Sequence, residues 1–174
     1  RTERKHILRE VRRKSLAYPS IHFRLYERDE ELLNVPPGSL EDRVYETLGE
    51  DIGETMLNVE RLAPDFQGHG RFGLTGLISD GDLTHSNRRH QFSFVNSRAV
   101  RDPVLYRAVG KAYEKMGIRD GNPPVVLFLS LPSELVDVNV HPRKEEIRHK
   151  ESQSVFRFVY DTVKETLQDH YQQQ

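Results

Sequence analysis

The sequence predicts an α+β fold in which helices pack on a mixed sheet, and three observations carry that prediction. Residues 136–140 read Val-Asp-Val-Asn-Val, the period of two expected of a half-buried strand. Residues 125–131 are apolar almost without interruption, which suits a strand in the middle of a sheet. Residues 104–116 and 155–167 instead space their apolar side chains three and four apart, as helices with one buried face do. Strand-like and helix-like segments are interleaved along the chain, so the layers are helices against a sheet.

Taken in order, residues 3–17 read as a helix: Thr2 can cap it, Ile7, Leu8 and Val11 form one stripe, and Pro19 stops it. Ile21, Phe23 and Leu25 alternate with His22, Arg24 and Tyr26, giving a strand that Asp29-Glu30 turns toward a second near 32–35. Pro36-Pro37-Gly38 is a loop. Ser39, with Asp42 three residues on, is a capping-box pattern for a helix over 40–48 that ends at Gly49. Strands follow at 56–62 and 71–79, joined by Pro64-Asp65-Phe66-Gln67-Gly68, and the polar stretch 80–90 reads as a mobile loop.

Residues 91–100 read as one further strand. Asp102 then caps a helix with Pro103 at its first position. Val104, Leu105, Ala108, Val109, Ala112, Tyr113 and Met116 form its apolar face, and Gly117 ends it. Gly121-Asn122-Pro123-Pro124 turns the chain into the strand at 125–131. The strand at 136–140 stops at Pro142, which has no amide to give a ladder. A short strand at 146–149 precedes a long helix marked by Val155, Phe158, Val159, Thr162, Val163 and Leu167, which frays at Gln172-Gln173-Gln174. There is no internal repeat and no long linker. The expected division is an opening helix over 1–18, a main domain over 19–150, and a helix over 151–174 able to pack on that same domain.

Composition narrows the class. With 174 residues, 30% of them charged, and a mean hydropathy of −0.70, the chain has enough length for a core and a well-solvated surface. It has no cysteine, which excludes a disulfide framework and thiolate metal sites and is compatible with a reducing address inside the cell. No apolar run approaches the roughly 18 residues of a membrane span, and the start lacks a secretory pattern. The chain begins Arg1-Thr2-Glu3, without a methionine, and is expected to be a piece of a longer polypeptide.

The net charge of −1 conceals a polarised distribution. Residues 1–14 carry a net of +5, residues 27–60 a net of −9, and residues 88–119 a net of +6. Two basic blocks and an acidic one create opposed surface potentials. Within the second basic block, Arg98 and Arg101 flank the start of a helix on which Arg107 and Lys111, four apart, share a face. Guanidinium and ammonium groups so clustered suit phosphate contacts that give affinity without sequence choice. Pairing of either arginine with Asp102 would instead make the corner structural. Lys144 sits on a loop between two strands, where an ammonium can meet an anion such as phosphate or simply be solvated.

Other signals are weak. Gly68-His69-Gly70-Arg71-Phe72-Gly73 has the G-x-G-x-x-G spacing of a dinucleotide fingerprint, but alternating residues rather than a helix follow it. The eight histidines form no metal set: His85 and His90 are five apart, wrong for one helical face. No G-x-S-x-G elbow presents a nucleophile.

Two motifs are more specific. The run Val136-Asp137-Val138-Asn139-Val140-His141-Pro142-Arg143-Lys144-Glu145-Glu146-Ile147-Arg148 resembles the VDVNVHPxKxEVR signature of the MutL family of DNA mismatch repair ATPases. Phe94-Val95-Asn96-Ser97-Arg98-Ala99-Val100-Arg101-Asp102 resembles that family's FVNGRxxRD segment, with Ser97 where glycine is usual and Arg143 where a small residue is common. The resemblance covers most of the chain, more clearly from Gly70 onward. It implies the second, transducer domain of an ATPase region, a ribosomal-protein-like fold with a left-handed β-α-β crossover that departs from the right-handed rule. It implies that Lys144 contacts the γ-phosphate of ATP, that Asn139 and His141 shape the strand end that aims it, and that the arginine at Arg98 binds DNA. ATP and Mg2+ would belong mainly to a separate GHKL domain, whose hallmarks these residues lack, leaving this piece inactive alone and without a cofactor or metal of its own. The implied partners are DNA through its backbone, that GHKL domain, a second subunit in a homo- or heterodimer, and a mismatch-recognition protein. No membrane is implied. The implied address is the cytoplasm or nucleoid of a prokaryote or the nucleus of a eukaryote. A transducer from another GHKL machine, such as a type II topoisomerase, and an RNA-binding module of the same fold stand as alternatives.

Overall fold

The computed structural model describes residues 2–138 and 147–174. It divides into two compact units, Arg1–Glu54 and Thr55–Gln174.

The first unit holds α1 (Thr2–Ala17), the antiparallel hairpin β1 (Phe23–Glu27) and β2 (Glu30–Val35), then α2 (Leu40–Leu48) and the short α3 (Glu50–Gly53). Leu16, Leu33, Val35, Val44 and Ile52 are its buried apolar side chains. The capping box forms as the spacing requires. Ser39 Oγ accepts from the Asp42 amide at 3.0 Å, and the Asp42 carboxylate accepts from the Ser39 amide at 3.1 Å. Sequence reading missed α3, which is too short to show a period.

The buried charge of this unit is Arg43, 1% exposed. Its guanidinium donates to the carbonyls of Ser15 (2.6 Å), Pro19 (2.9 Å), Ile21 (2.7 Å) and Pro36 (3.0 Å). Its plane lies 5.5 Å from the Phe23 ring centroid. Ser15 is in the last turn of α1, so Arg43 satisfies a carbonyl the helix cannot pair and sits at the negative end of the helix dipole.

The second unit is a five-stranded sheet in the order β3-β4-β7-β5-β6, built from β3 (Met56–Ala63), β4 (Phe72–Ser79), β5 (Gln91–Val95), β6 (Arg98–Ala99) and β7 (Val125–Ser130). All pairs are antiparallel except β5 with β7, which α4 (Pro103–Lys115) bridges as a β-α-β unit. The apolar run at 125–131 is thus the middle strand, as its lack of alternation predicts. At Gly76 a side chain is sterically excluded: φ is 132° and a Cβ would stand 2.0 Å from the Val126 carbonyl oxygen of the neighbouring strand. One face of the sheet packs against α4 and α5 (Ser152–Gln172). Leu74, Ile78, Val125, Leu127 and Leu129 there meet Leu105, Val109, Tyr113, Val155, Phe158, Val159 and Val163. On the other face Phe94 stacks on Phe128, its register partner, at 4.8 Å. A separate antiparallel pair, β8 (Val136–Val138) and β9 (Ile147–His149), sets Val136 opposite His149.

One expectation needs correction. Residues 91–100 are not a single strand, because the chain reverses at Asn96-Ser97 and Arg98 opens β6 opposite Val95. Both turn residues have positive φ, 49° and 67°, the geometry of a two-residue hairpin turn matched to strand twist. The Gly68–Gly73 run lies in the turn between β3 and β4 and leads into a strand, not a helix.

Candidate nucleic-acid interface

The β5–β6 turn is fixed from beneath. The Asn96 amide donates to the Leu129 carbonyl at 2.9 Å, and Asn96 Oδ1 accepts from the Leu131 amide at 2.9 Å, tying the turn to the end of the middle strand. Asn96 tolerates the left-handed conformation better than most residues, whereas Ser97 is strained in it. Past the turn, Ser93 holds Val100 through two bonds: the Val100 amide donates to the Ser93 carbonyl at 3.1 Å, and Ser93 Oγ donates to the Val100 carbonyl at 2.6 Å. Val100 is therefore buried, and Arg98 and Arg101 are exposed on either side of it.

Asp102 turns inward. Its Oδ1 accepts from the amides of Val104 (3.1 Å) and Leu105 (3.2 Å), capping α4, and its Oδ2 accepts from His149 Nε2 at 2.7 Å. Both side chains are 0% exposed. The alternative in which Asp102 neutralises Arg98 or Arg101 is thus not what forms. Neither arginine makes an ion pair among the described residues.

Along α4 the basic surface continues with modifications that spacing could not show. Lys111 pairs with Glu114 at 3.0 Å, which lessens its pull on an incoming anion, while Arg107 lies 5.3 Å over the Phe156 ring of α5. Two further arginines join them. Arg88 lies 5.4 Å over Tyr106, and with Arg107, Lys111 and Arg119 it lines an open groove of about 450 Å³. Gly110 lies on the same groove, with nothing within 4 Å of where its Cβ would stand. A glycine inside a helix costs about 1 kcal/mol relative to alanine, and packing does not require this one. Arg88 and Arg119 belong to the basic block legible in the sequence, but only the fold gathers them on one groove.

The phenols behind the groove are structural. Tyr106 Oη lies 3.1 Å from Ser93 Oγ and 3.4 Å from the Gln91 carbonyl, and its pKa is raised chiefly by burial. Tyr113 bonds the Ser79 carbonyl, and burial raises its pKa well above the ordinary phenol value.

His85 and His90, five apart in sequence, meet edge to face at 4.3 Å in the loop that leads to β5. Burial first, then His85 and Arg89, lower the pKa of His90 to about 4. Among the described residues no third histidine or carboxylate joins them in a metal-sized cluster. The loop read as mobile is held at His85, whose amide and carbonyl pair with Asn122 at 3.1 Å and 2.6 Å. Lys144, Asn139 and His141 lie outside the described residues. Among the described residues no helix is long and apolar enough to cross a membrane.

Against known proteins, residues 44–168 match the family model described as DNA mismatch repair protein, C-terminal domain. The DNA mismatch repair protein MutL of Neisseria meningitidis serogroup B is 37% identical over 168 residues, which are 97% of this chain and 25% of that protein. MutL of Ralstonia nicotianae is 36% identical over 169 residues, 97% of this chain and 26% of that protein. The chain thus spans about a quarter of the length of these relatives. Among solved structures, the N-terminal domain of a DNA repair protein superposes with a TM-score of 0.76 at 20% identity, covering 95% of this chain and 53% of that one. The ADP-complexed ATPase domain of Aquifex aeolicus MutL gives 0.52 at 20% identity, covering 75% of this chain and 43% of that one. At that identity both likenesses speak to fold alone.

Proposed function

The chain belongs to the DNA mismatch repair protein family, and on that premise we propose that it is the transducer and DNA-contacting part of a MutL-type ATPase. The observation that carries the proposal is the corner at the start of α4, where Arg98 and Arg101 stand exposed, with no ion pair among the described residues, while Asp102 is drawn inward. Such a corner contacts phosphates without reading bases. Arg107 and Lys111 extend it along the helix, with Arg88 and Arg119 across the groove.

In this reading ATP and Mg2+ belong mainly to a companion GHKL domain, and Lys144 is this chain's contribution as a contact to the γ-phosphate. A contact made to triphosphate and lost with diphosphate reports nucleotide state. Asn139 and His141 support that loop. The remaining partners are a second ATPase subunit and a mismatch-recognition protein, in an intracellular setting.

The test is DNA binding by the Arg98→Glu/Arg101→Glu variant, measured by fluorescence anisotropy over a salt series. Loss of two phosphate contacts should make the log–log salt slope shallower by about two, with thermal unfolding nearly unchanged. An unchanged slope, or a parallel loss of folding, refutes the assignment. For Lys144, the alanine variant placed in the longer ATPase should slow ATP turnover more than it lowers stability, and unchanged turnover would remove the phosphate contact.

A further inference from the structure

Resting on the DNA-contact reading, we propose that His149 is a positioning residue for that interface: it holds the Asp102 carboxylate inward so that Arg98 and Arg101 stay free for phosphate. Asp102 is one residue from Arg101 and four from Arg98, close enough to neutralise either by local rearrangement. A carboxylate that pairs with an adjacent arginine forms a charge-assisted bond, the stronger kind. Three donors oppose that outcome. The amides of Val104 and Leu105 engage Oδ1, and the imidazole Nε2–H of His149 engages Oδ2 at 2.7 Å, with both side chains wholly buried.

The cap alone does not explain the histidine. An N-cap needs one carboxylate oxygen, and serine, threonine or asparagine serves as well. The second oxygen is the one that could turn to an arginine, and it is the one His149 takes. The histidine comes from β9, 47 residues along the chain, so the interface depends on a residue far from its cations in sequence. Removing the imidazole leaves a buried anionic oxygen without a donor, a costly state that the nearest mobile cation relieves. Arg101, the residue next to Asp102 in the chain and itself exposed, is the cation placed to do so.

The decisive comparison uses His149→Phe, which keeps ring volume and removes the donor, and His149→Phe/Asp102→Asn, whose amide still accepts the cap bonds but carries no charge. DNA binding by anisotropy over a salt series should show about tenfold weaker binding for His149→Phe and a slope shallower by about one phosphate. The double variant should recover the native slope. His149→Gln, able to donate to Oδ2, should behave as the native protein. An unchanged slope in His149→Phe, or a slope that stays shallow in the double variant, overturns the proposal. Should His149→Phe not fold, His149→Asn, whose shorter amide falls back from Oδ2, gives the same reading. If Arg98→Glu/Arg101→Glu leaves binding intact, the underlying DNA contact fails instead. If that variant loses binding while the His149 series is flat, only the positioning role fails.

Discussion

Replacing Arg43 by methionine should unfold most of the first unit. Methionine keeps an apolar stem in the same space, so the loss is that of the guanidinium and its four close carbonyl partners on Ser15, Pro19, Ile21 and Pro36. Hydrogen bonds from a charged donor are each worth about 1.5–3 kcal/mol net, and water reaching the outer carbonyls recovers part, leaving a loss of about 3–5 kcal/mol. The unit ends at Glu54, and at ordinary stability per residue it is held by only about 3–8 kcal/mol. The perturbation is therefore comparable to the whole. Arg43→Lys should fall between, since one ammonium reaches one or two of the four carbonyls and lacks the planar fork. Residue-resolved hydrogen exchange of the amides of α1, β1, β2 and α2 is the assay. Protection within about 1 kcal/mol of native in Arg43→Met would refute the reasoning, because the carbonyls would then be satisfied without the guanidinium.

The remaining predictions follow from single sites. Ser97→Gly removes a left-handed serine from the β5–β6 turn and should raise stability by about 0.5–1 kcal/mol, or a few degrees in Tm, with DNA affinity unchanged. A lower Tm would mean that the Ser97 side chain holds the turn. His90, at about 4 in the folded state against 6.5 unfolded, stays neutral in the fold while the unfolded chain takes up a proton as pH falls. Its contribution is fully present above about 6.5 and is lost progressively toward 4, so denaturant unfolding should show a decrease from pH 7 to pH 5. The full shift corresponds to about 2 kcal/mol at pH 5, and partial exposure reduces it to about 1 kcal/mol. His90→Asn should flatten that dependence, and an undiminished slope would assign it to another group. Gly110→Ala should stabilise α4 by about 1 kcal/mol while weakening DNA binding, if a phosphodiester backbone approaches the helix at that point; stabilisation with unchanged affinity would remove the groove from the interface.

Local chemistry made much of this protein legible in one dimension. The capping box at Ser39 and Asp42, the Asp102-Pro103 start of α4, the buried middle strand and the apolar face of α5 depend on neighbours within a few residues, and all four stand where their residue types place them. The turn at Asn96-Ser97 was present in the sequence too, but the serine hid it: with glycine the pair is a strong hairpin signal, and the strand-like residues on both sides then read as two strands. Family membership was equally local, since two short motifs in order carried it.

Residue types alone thus place most of the elements, their caps and a basic block. Tertiary structure decided which of those charges are available. Arg43 lies in the acidic stretch 27–60, yet folding buries it against four carbonyls drawn from two loops and a helix end. Asp102 counted as a cap and a candidate partner for its neighbouring arginines, yet His149, distant in sequence, claims its second oxygen. Lys111 is offset by Glu114, and Arg88 and Arg119 reach one groove from segments on either side of α4. The physical reason is that a side chain's charge and propensity are its own, whereas its partner is set by whichever donor or acceptor the packed chain brings within about 3 Å, and that distance has no counterpart along the sequence.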